Sequence, residues 1–109
     1  MIEKTIEDHL KKRCKENKIF ILKNTGMNGI PDRLLLKNGK YLFVETKKPG
    51  EKARLLQQKI MKKLTEHGAA CCIIDSKTGV DYAIELFVKR KIKSKTIYDF
   101  TSCTDDKDS

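Results

Sequence analysis

The chain has 109 residues, 24 lysines and arginines against 15 acids, and a formal net charge of +9 at pH 7. That length supports one domain with a modest core but not two, and the basic balance points to a polyanionic partner, nucleic acid before any other. No apolar run is long enough to span a membrane, no helix sets a wide apolar face against a purely basic one, and Met1-Ile2-Glu3 opens no secretion signal, so a cytoplasmic protein with no membrane partner is expected.

Residues 2–17 place Ile2, Ile6, Leu10 and Cys14 on one stripe and predict a first helix. Residues 19–23 read as a short strand, and Asn24 to Gly29 as a polar, glycine-bearing loop. Two apolar runs then flank Asn38-Gly39, a pair suited to a turn in which both central residues need positive φ, so a β-hairpin is expected over 30–47 and ends at Pro49-Gly50. A second helix is expected from about 52 to 67, burying Ala53, Leu56, Ile60 and Leu64 and stopping at Gly68. Ala69 to Ile74 is a continuous apolar run that suits an interior strand covered on both faces. Ser76 or Thr78 could cap a third helix near 79–90, with Val80, Ala83, Ile84 and Phe87 inward. A basic run (Lys89-Arg90-Lys91-Ile92-Lys93-Ser94-Lys95) and Ile97-Tyr98-Asp99-Phe100 follow, and the domain closes near residue 100, before an acidic segment, 101–109, expected to be disordered. The predicted order is αβββαβ and a C-terminal helix, an α/β fold with a central mixed sheet flanked by helices.

Counting outward from Asn38-Gly39 sets the hairpin register: Lys37 faces Lys40, Leu36 Tyr41, Leu35 Leu42, Leu34 Phe43, Arg33 Val44, and Asp32 Glu45. Opposed residues share a side with Cβ atoms roughly 4.5–5.5 Å apart, and like charges placed so destabilise a sheet. Lys47, two residues beyond Glu45, points to the same side. The bare acid pair therefore calls for a cation, and a hard divalent ion with oxygen ligands fits it. The rest of that face is apolar (Leu34, Leu36, Tyr41, Phe43), so the charges are expected to adjoin core at the terminal rung of the hairpin. Asp32, Glu45 and the backbone carbonyl of Thr46 would supply oxygens, and Lys47 would position or deprotonate water and steady transition-state charge, a set suited to phosphodiester hydrolysis.

The four cysteines, Cys14, Cys71, Cys72 and Cys103, form no C-x-x-C pair, and His9 and His67 lack zinc-ligand spacing. Buried, inert thiols are expected.

Pro31-Asp32 followed by Glu45-Thr46-Lys47 resembles the PD-(D/E)XK nuclease signature. With Glu3-x-x-Ile6-Glu7-x-x-Leu10, Leu22-Lys23, Gly29-Ile30-Pro31-Asp32-Arg33, Pro49-Gly50, Gln57, Gly68 and Ile74-Asp75-Ser76, the pattern over residues 1–88 is similar to the VRR-NUC branch, in its small stand-alone phage or bacterial form. The resemblance implies a restriction-endonuclease-like core in which Asp32 and Glu45 bind Mg²⁺ or Mn²⁺, Lys47 is catalytic and Gln57 supports the site. A first-helix glutamate completes it, Glu7 in preference to Glu3. Lys23, Arg33, Lys48, Lys52 and Arg54 lie where phosphate contacts would form, which supply affinity without sequence reading. The function implied is a Mg²⁺-dependent DNA endonuclease, selective for branched DNA such as a Holliday junction and acting as a homodimer, with no small-molecule cofactor, in a bacterial or phage-infected cell. The alternative is a non-catalytic nucleic-acid-binding protein on the same fold.

Overall fold

A computed structural model describes residues 3–101, apart from the Glu3 side chain. The elements are α1 (Glu3–Glu16), β1 (Phe20–Lys23), β2 (Arg33–Lys37), β3 (Lys40–Thr46), α2 (Leu55–Glu66), β4 (Cys71–Ile74), α3 (Lys77–Val88) and β5 (Ile97–Asp99). Ile2, Cys103 and the acidic end lie outside the described residues. The five strands form one sheet in sequence order. β1, β2 and β3 are antiparallel, whereas β4 and β5 run parallel to β3, so the sheet is mixed as expected. β5 had no predicted counterpart: Ile97-Tyr98-Asp99 pairs as an edge strand with Cys71 to Ile73 after the exposed basic loop.

The turn chemistry behaves as its residues require. Asn38 (φ 50°) and Gly39 (φ 81°) both take positive φ, and all five predicted β2–β3 pairs from Lys37–Lys40 to Arg33–Val44 form. The ladder ends there, so Asp32 and Glu45 are not a sixth rung; the Asp32 main-chain N–H instead donates to Glu45 Oε1 at 3.1 Å.

The side of the sheet that becomes core differs from the expected one. Leu35, Leu42, Val44, Cys72 and Ile74 are buried against Ile6, Leu10 and Cys14 of α1 and Val80, Ala83, Ile84 and Phe87 of α3. This is the helical face, and it carries the main core. Leu34, Leu36 and Phe43, which share the opposite face with Glu45, are only half-buried, and Tyr41 is exposed. The physical reason is coverage: α1 and α3 pack on each other over the first face, while α2 on the second touches β4 and β5 and leaves the β1–β2–β3 half open.

α2 also starts later and sits rotated from the expected setting. Gln57, Met61 and Thr65 are buried, whereas Leu56 is 48% exposed and Ala53, Ile60 and Leu64 are half-buried. Leu56 and Ile60 instead abut the 24–30 loop at Gly29, whose φ is +88° and where a Cβ would come within 2.8 Å of Leu56 Cγ. Only glycine fits that approach. α3 starts two residues before its expected position, capped by the Ser76 hydroxyl accepting from the Gly79 N–H at 3.0 Å, and buries the four predicted side chains. Cys14, Cys71 and Cys72 are buried and unbridged. Burial pushes the thiols of Cys14 and Cys71 up to about 12 and that of Cys72 higher still. Thiols so protonated are poor nucleophiles and metal ligands.

Candidate active site

The charged cluster gathers where β2 begins and β3 ends. Asn24 fixes its backbone: the Asn24 N–H donates to Asp32 O at 2.7 Å and the side-chain amide to Pro31 O at 2.9 Å. Pro31 is buried beside it, and the Asp32 carboxylate meets the Thr46 hydroxyl of β3. An asparagine after a strand carries no sequence signal that distinguishes this role.

Glu45 is the hub. It is 2% exposed and every part of its carboxylate is engaged. Oε1 accepts from the Asp32 main chain, and Oε2 accepts from Gln57 Nε2 at 2.9 Å and pairs with Lys47 Nζ at 3.1 Å. Gln57 is aimed by the helix terminus it occupies. Its Oε1 accepts from the Arg54 N–H at 2.8 Å, which leaves the amide nitrogen facing Glu45. The same polar tie accounts for the rotation of α2, since a helix docked on its most apolar stripe would turn Gln57 away.

Asp32, Glu45, Lys47 and Gln57 therefore converge, as expected. Thr46 is fully buried, and its hydroxyl donates to Asp32 Oδ2 at 3.5 Å. Burial and then the Glu7 charge raise the Asp32 carboxyl, outweighing the opposing pull of Lys47, Thr46 and Arg33. Burial and then Asp32 raise Glu45 against the pull of Lys47. Acids held above their ordinary range by burial and by neighbouring carboxylates are in the electrostatic state that a bound cation relieves.

Glu7 is near enough to act on Asp32, but its Oε1 accepts from Arg33 Nη2 at 2.9 Å. Glu3, the alternative, has its side chain outside the described residues. Among the described residues no three His, Cys, Asp or Glu side chains come together as a ligand set. Two carboxylates nevertheless fit Mg²⁺, which keeps several waters and takes one or two carboxylates together with substrate phosphates. Lys23, Lys48, Lys52 and Arg54 are exposed and free to meet a backbone phosphate, whereas Arg33 is 8% exposed and committed to Glu7. The expected phosphate contact from Arg33 is thus not favoured by its position: it shares strand parity with Leu35 and turns to the helical face.

A mixed sheet whose hairpin end carries Asp32 and a Glu45-x-Lys47 strand, propped by a helical glutamine, is the arrangement of a PD-(D/E)XK-type nuclease. Comparison with known proteins narrows the class. A protein of Acyrthosiphon pisum secondary endosymbiont phage 1 named "Putative nuclease p44" is 38% identical over 77 residues, covering 68% of this chain and 83% of its own length. A solved structure described as a VRR_NUC domain superposes with a TM-score of 0.69 at 28% identity, over 76% of this chain and 94% of that one. No family model matches the sequence. The chain belongs to the VRR-NUC nuclease family. No helix among the described residues is long and apolar enough to cross a membrane.

Proposed function

We propose that the protein is a Mg²⁺- or Mn²⁺-dependent DNA endonuclease that selects branched DNA and works as a homodimer. The observation that carries the catalytic part is the buried Glu45 carboxylate, held between Lys47 and Gln57 and beside Asp32. Asp32, Glu45 and the Thr46 carbonyl would hold the ion, which when bound supplies an acidified water and neutralises phosphate charge. Lys47, fixed by Glu45, holds its ammonium at the reacting phosphate, where it orients the incoming water and offsets developing negative charge. Gln57 keeps the Glu45 carboxylate from rotating. The exposed lysines at 23, 48 and 52 with Arg54 grip phosphates on either side and read no bases.

Cleavage of a labelled four-way junction, beside flap, single-stranded and linear duplex DNA, tests this reading. Metal-dependent cutting that ranks the junction first and stops in EDTA is expected. Binding without cutting in either metal would replace the enzyme with a nucleic-acid-binding module.

The open half of the sheet supports the dimer. In register on that face lie Phe20–Leu36–Tyr41 and Leu22–Leu34–Phe43, with Phe20 63% and Tyr41 43% exposed. A small domain gains burial by closing such a face against its own copy through a two-fold axis. Light scattering on the eluting protein is expected to give twice the 12.6 kDa chain mass. Phe20→Asp, at a site too exposed to upset the fold, is expected to give the single-chain mass. A wild type that elutes as one chain at micromolar concentration would remove the dimer.

A further inference from the structure

Arg33 is the buried cation for which the proposed chemistry has no use. The Asp32 main chain meets Glu45 and its carboxylate the Thr46 hydroxyl, while the next residue, Arg33, shares strand parity with Leu35 and turns to the helical face. Its pairing with Glu7 is a single contact at 2.9 Å between side chains only 10% and 25% exposed. Among the described residues, the buried Arg33 Nε has no hydrogen-bond partner. Arginine usually meets a carboxylate with two parallel donors, and a buried donor left idle destabilises the fold. This contact is therefore not one that maximises stability. Glu7, for its part, ranks after burial as the largest influence raising the Asp32 carboxyl, and Arg33 acts on the same carboxyl in the opposite sense. Three carboxylates of one region are thus held apart by two cations: Lys47 on Glu45, and Arg33 on Glu7.

We propose that Arg33 is a positioning residue that competes with the divalent cation for Glu7, holding that carboxylate on the guanidinium rather than on the ion in the metal-free protein. The inference rests on the metal-dependent reading above. The Arg33–Glu7 pairing leaves two side-chain carboxylates at the resting site, the number that suits Mg²⁺ with its retained waters and phosphate oxygens. Without the guanidinium, Glu7 is released as a third anionic ligand and the site holds divalent ions more tightly before any nucleic acid arrives. A residue serving only the fold has the opposite consequence, since its loss loosens the site and weakens binding.

The test is titration of Mn²⁺ into the full chain without nucleic acid, with free ion read by electron paramagnetic resonance, for wild type, Arg33→Met, Glu7→Gln and the double variant. Arg33→Met is expected to bind Mn²⁺ about tenfold more tightly, the scale of a lost nearby cationic competitor. In the Glu7→Gln background the same change is expected to gain less than about threefold, because only the field of the lost charge remains. Equal gains in the two backgrounds would show that Arg33 acts by its field alone and would overturn the proposal. So would unchanged or weaker binding in Arg33→Met. Arg33→Gln, which keeps a neutral polar side chain, takes the place of Arg33→Met if the latter fails to melt cooperatively, and the same tightening is required of it. A wild type that binds no Mn²⁺ would bring down the metal-dependent reading together with this inference. A wild type that binds while its Arg33 variants gain nothing would bring down this inference alone.

Discussion

Asp32→Asn is expected to reduce metal-dependent cleavage by at least about a thousandfold, roughly 4 kcal/mol of transition-state stabilisation, while raising the melting temperature of the metal-free protein. The two effects have one cause. The Asp32 carboxylate stands beside Glu45, both pushed above their ordinary range by burial and by neighbouring acids. Asparagine keeps an oxygen for the Thr46 hydroxyl, leaves the Asp32 main-chain bond to Glu45 in place, and removes the repulsion. A gain of about 1 kcal/mol, or about 5 °C for a domain of this size, follows. The pH dependence has a definite sign. An acid whose folded pKa lies above its unfolded value takes up its proton first in the native state, so native stability rises as pH falls through the interval between the two values. From this pair alone, metal-free wild type gains stability on mild acidification from neutral pH, and Asp32→Asn gains less. Calorimetric scans between pH 7 and pH 5 in EDTA, paired with junction cleavage in Mg²⁺, read both effects. Loss of cutting without any rise in melting temperature would mean that the acids do not strain one another. Full cutting would remove Asp32 from the chemistry.

The hairpin and its charged end were legible because the information was local. Asn38-Gly39 dictates the turn, the turn dictates the register, and the register brings Asp32 near Glu45 and Lys47 whatever the remainder of the chain does. Which side of the hairpin becomes core is not local. Leu34-Leu35-Leu36 is apolar on both faces, so alternation gives no preference, and the outcome depends on where α1 and α3 land. The setting of α2 was ambiguous for a related reason. Leu55, Leu56, Ile60, Met61 and Leu64 spread around the helix and permit several apolar stripes, and the choice among them falls to one amide, Gln57 on Glu45. β5 is three residues long and pairs only once α3 has carried the chain back to the sheet, which no short-range pattern records. Arg33 carries a local signal of its own. Its position alternates with Asp32 and matches Leu35, so strand parity alone directs it to the face away from Glu45, yet a basic residue beside a catalytic motif suggests a phosphate contact before it suggests a buried pair.

Lys47→Met carries the opposite stability effect and the same loss of function. The Lys47 ammonium is 8% exposed and meets a carboxylate that is 3% exposed, so the pair is buried on both sides. Removing one member of such a pair leaves an uncompensated charge and costs on the order of 3 kcal/mol. Here the stranded group is Glu45, which retains only neutral donors, the Asp32 N–H and Gln57 Nε2, while Asp32 stays beside it. Methionine fills most of the space of the lysine stem, so the deficit reports charge rather than a cavity. Lys47 also lowers the Glu45 carboxyl through its hydrogen bond and its charge, and without it that carboxyl moves further above its ordinary range. Proton uptake by Glu45 then offsets part of the damage as pH falls, so the stability gap between Lys47→Met and wild type is expected to be widest near pH 8 and to narrow toward pH 5. Cleavage does not recover with it: at low pH the restored fold still lacks the ammonium at the reacting phosphate, and a thousandfold deficit, about 4 kcal/mol, persists at every pH. Denaturant titrations across that range, run beside single-turnover cleavage, separate the two. A deficit independent of pH would show that the lysine serves by packing. Recovery of cleavage alongside stability would show that it holds Glu45 in place and never touches the substrate.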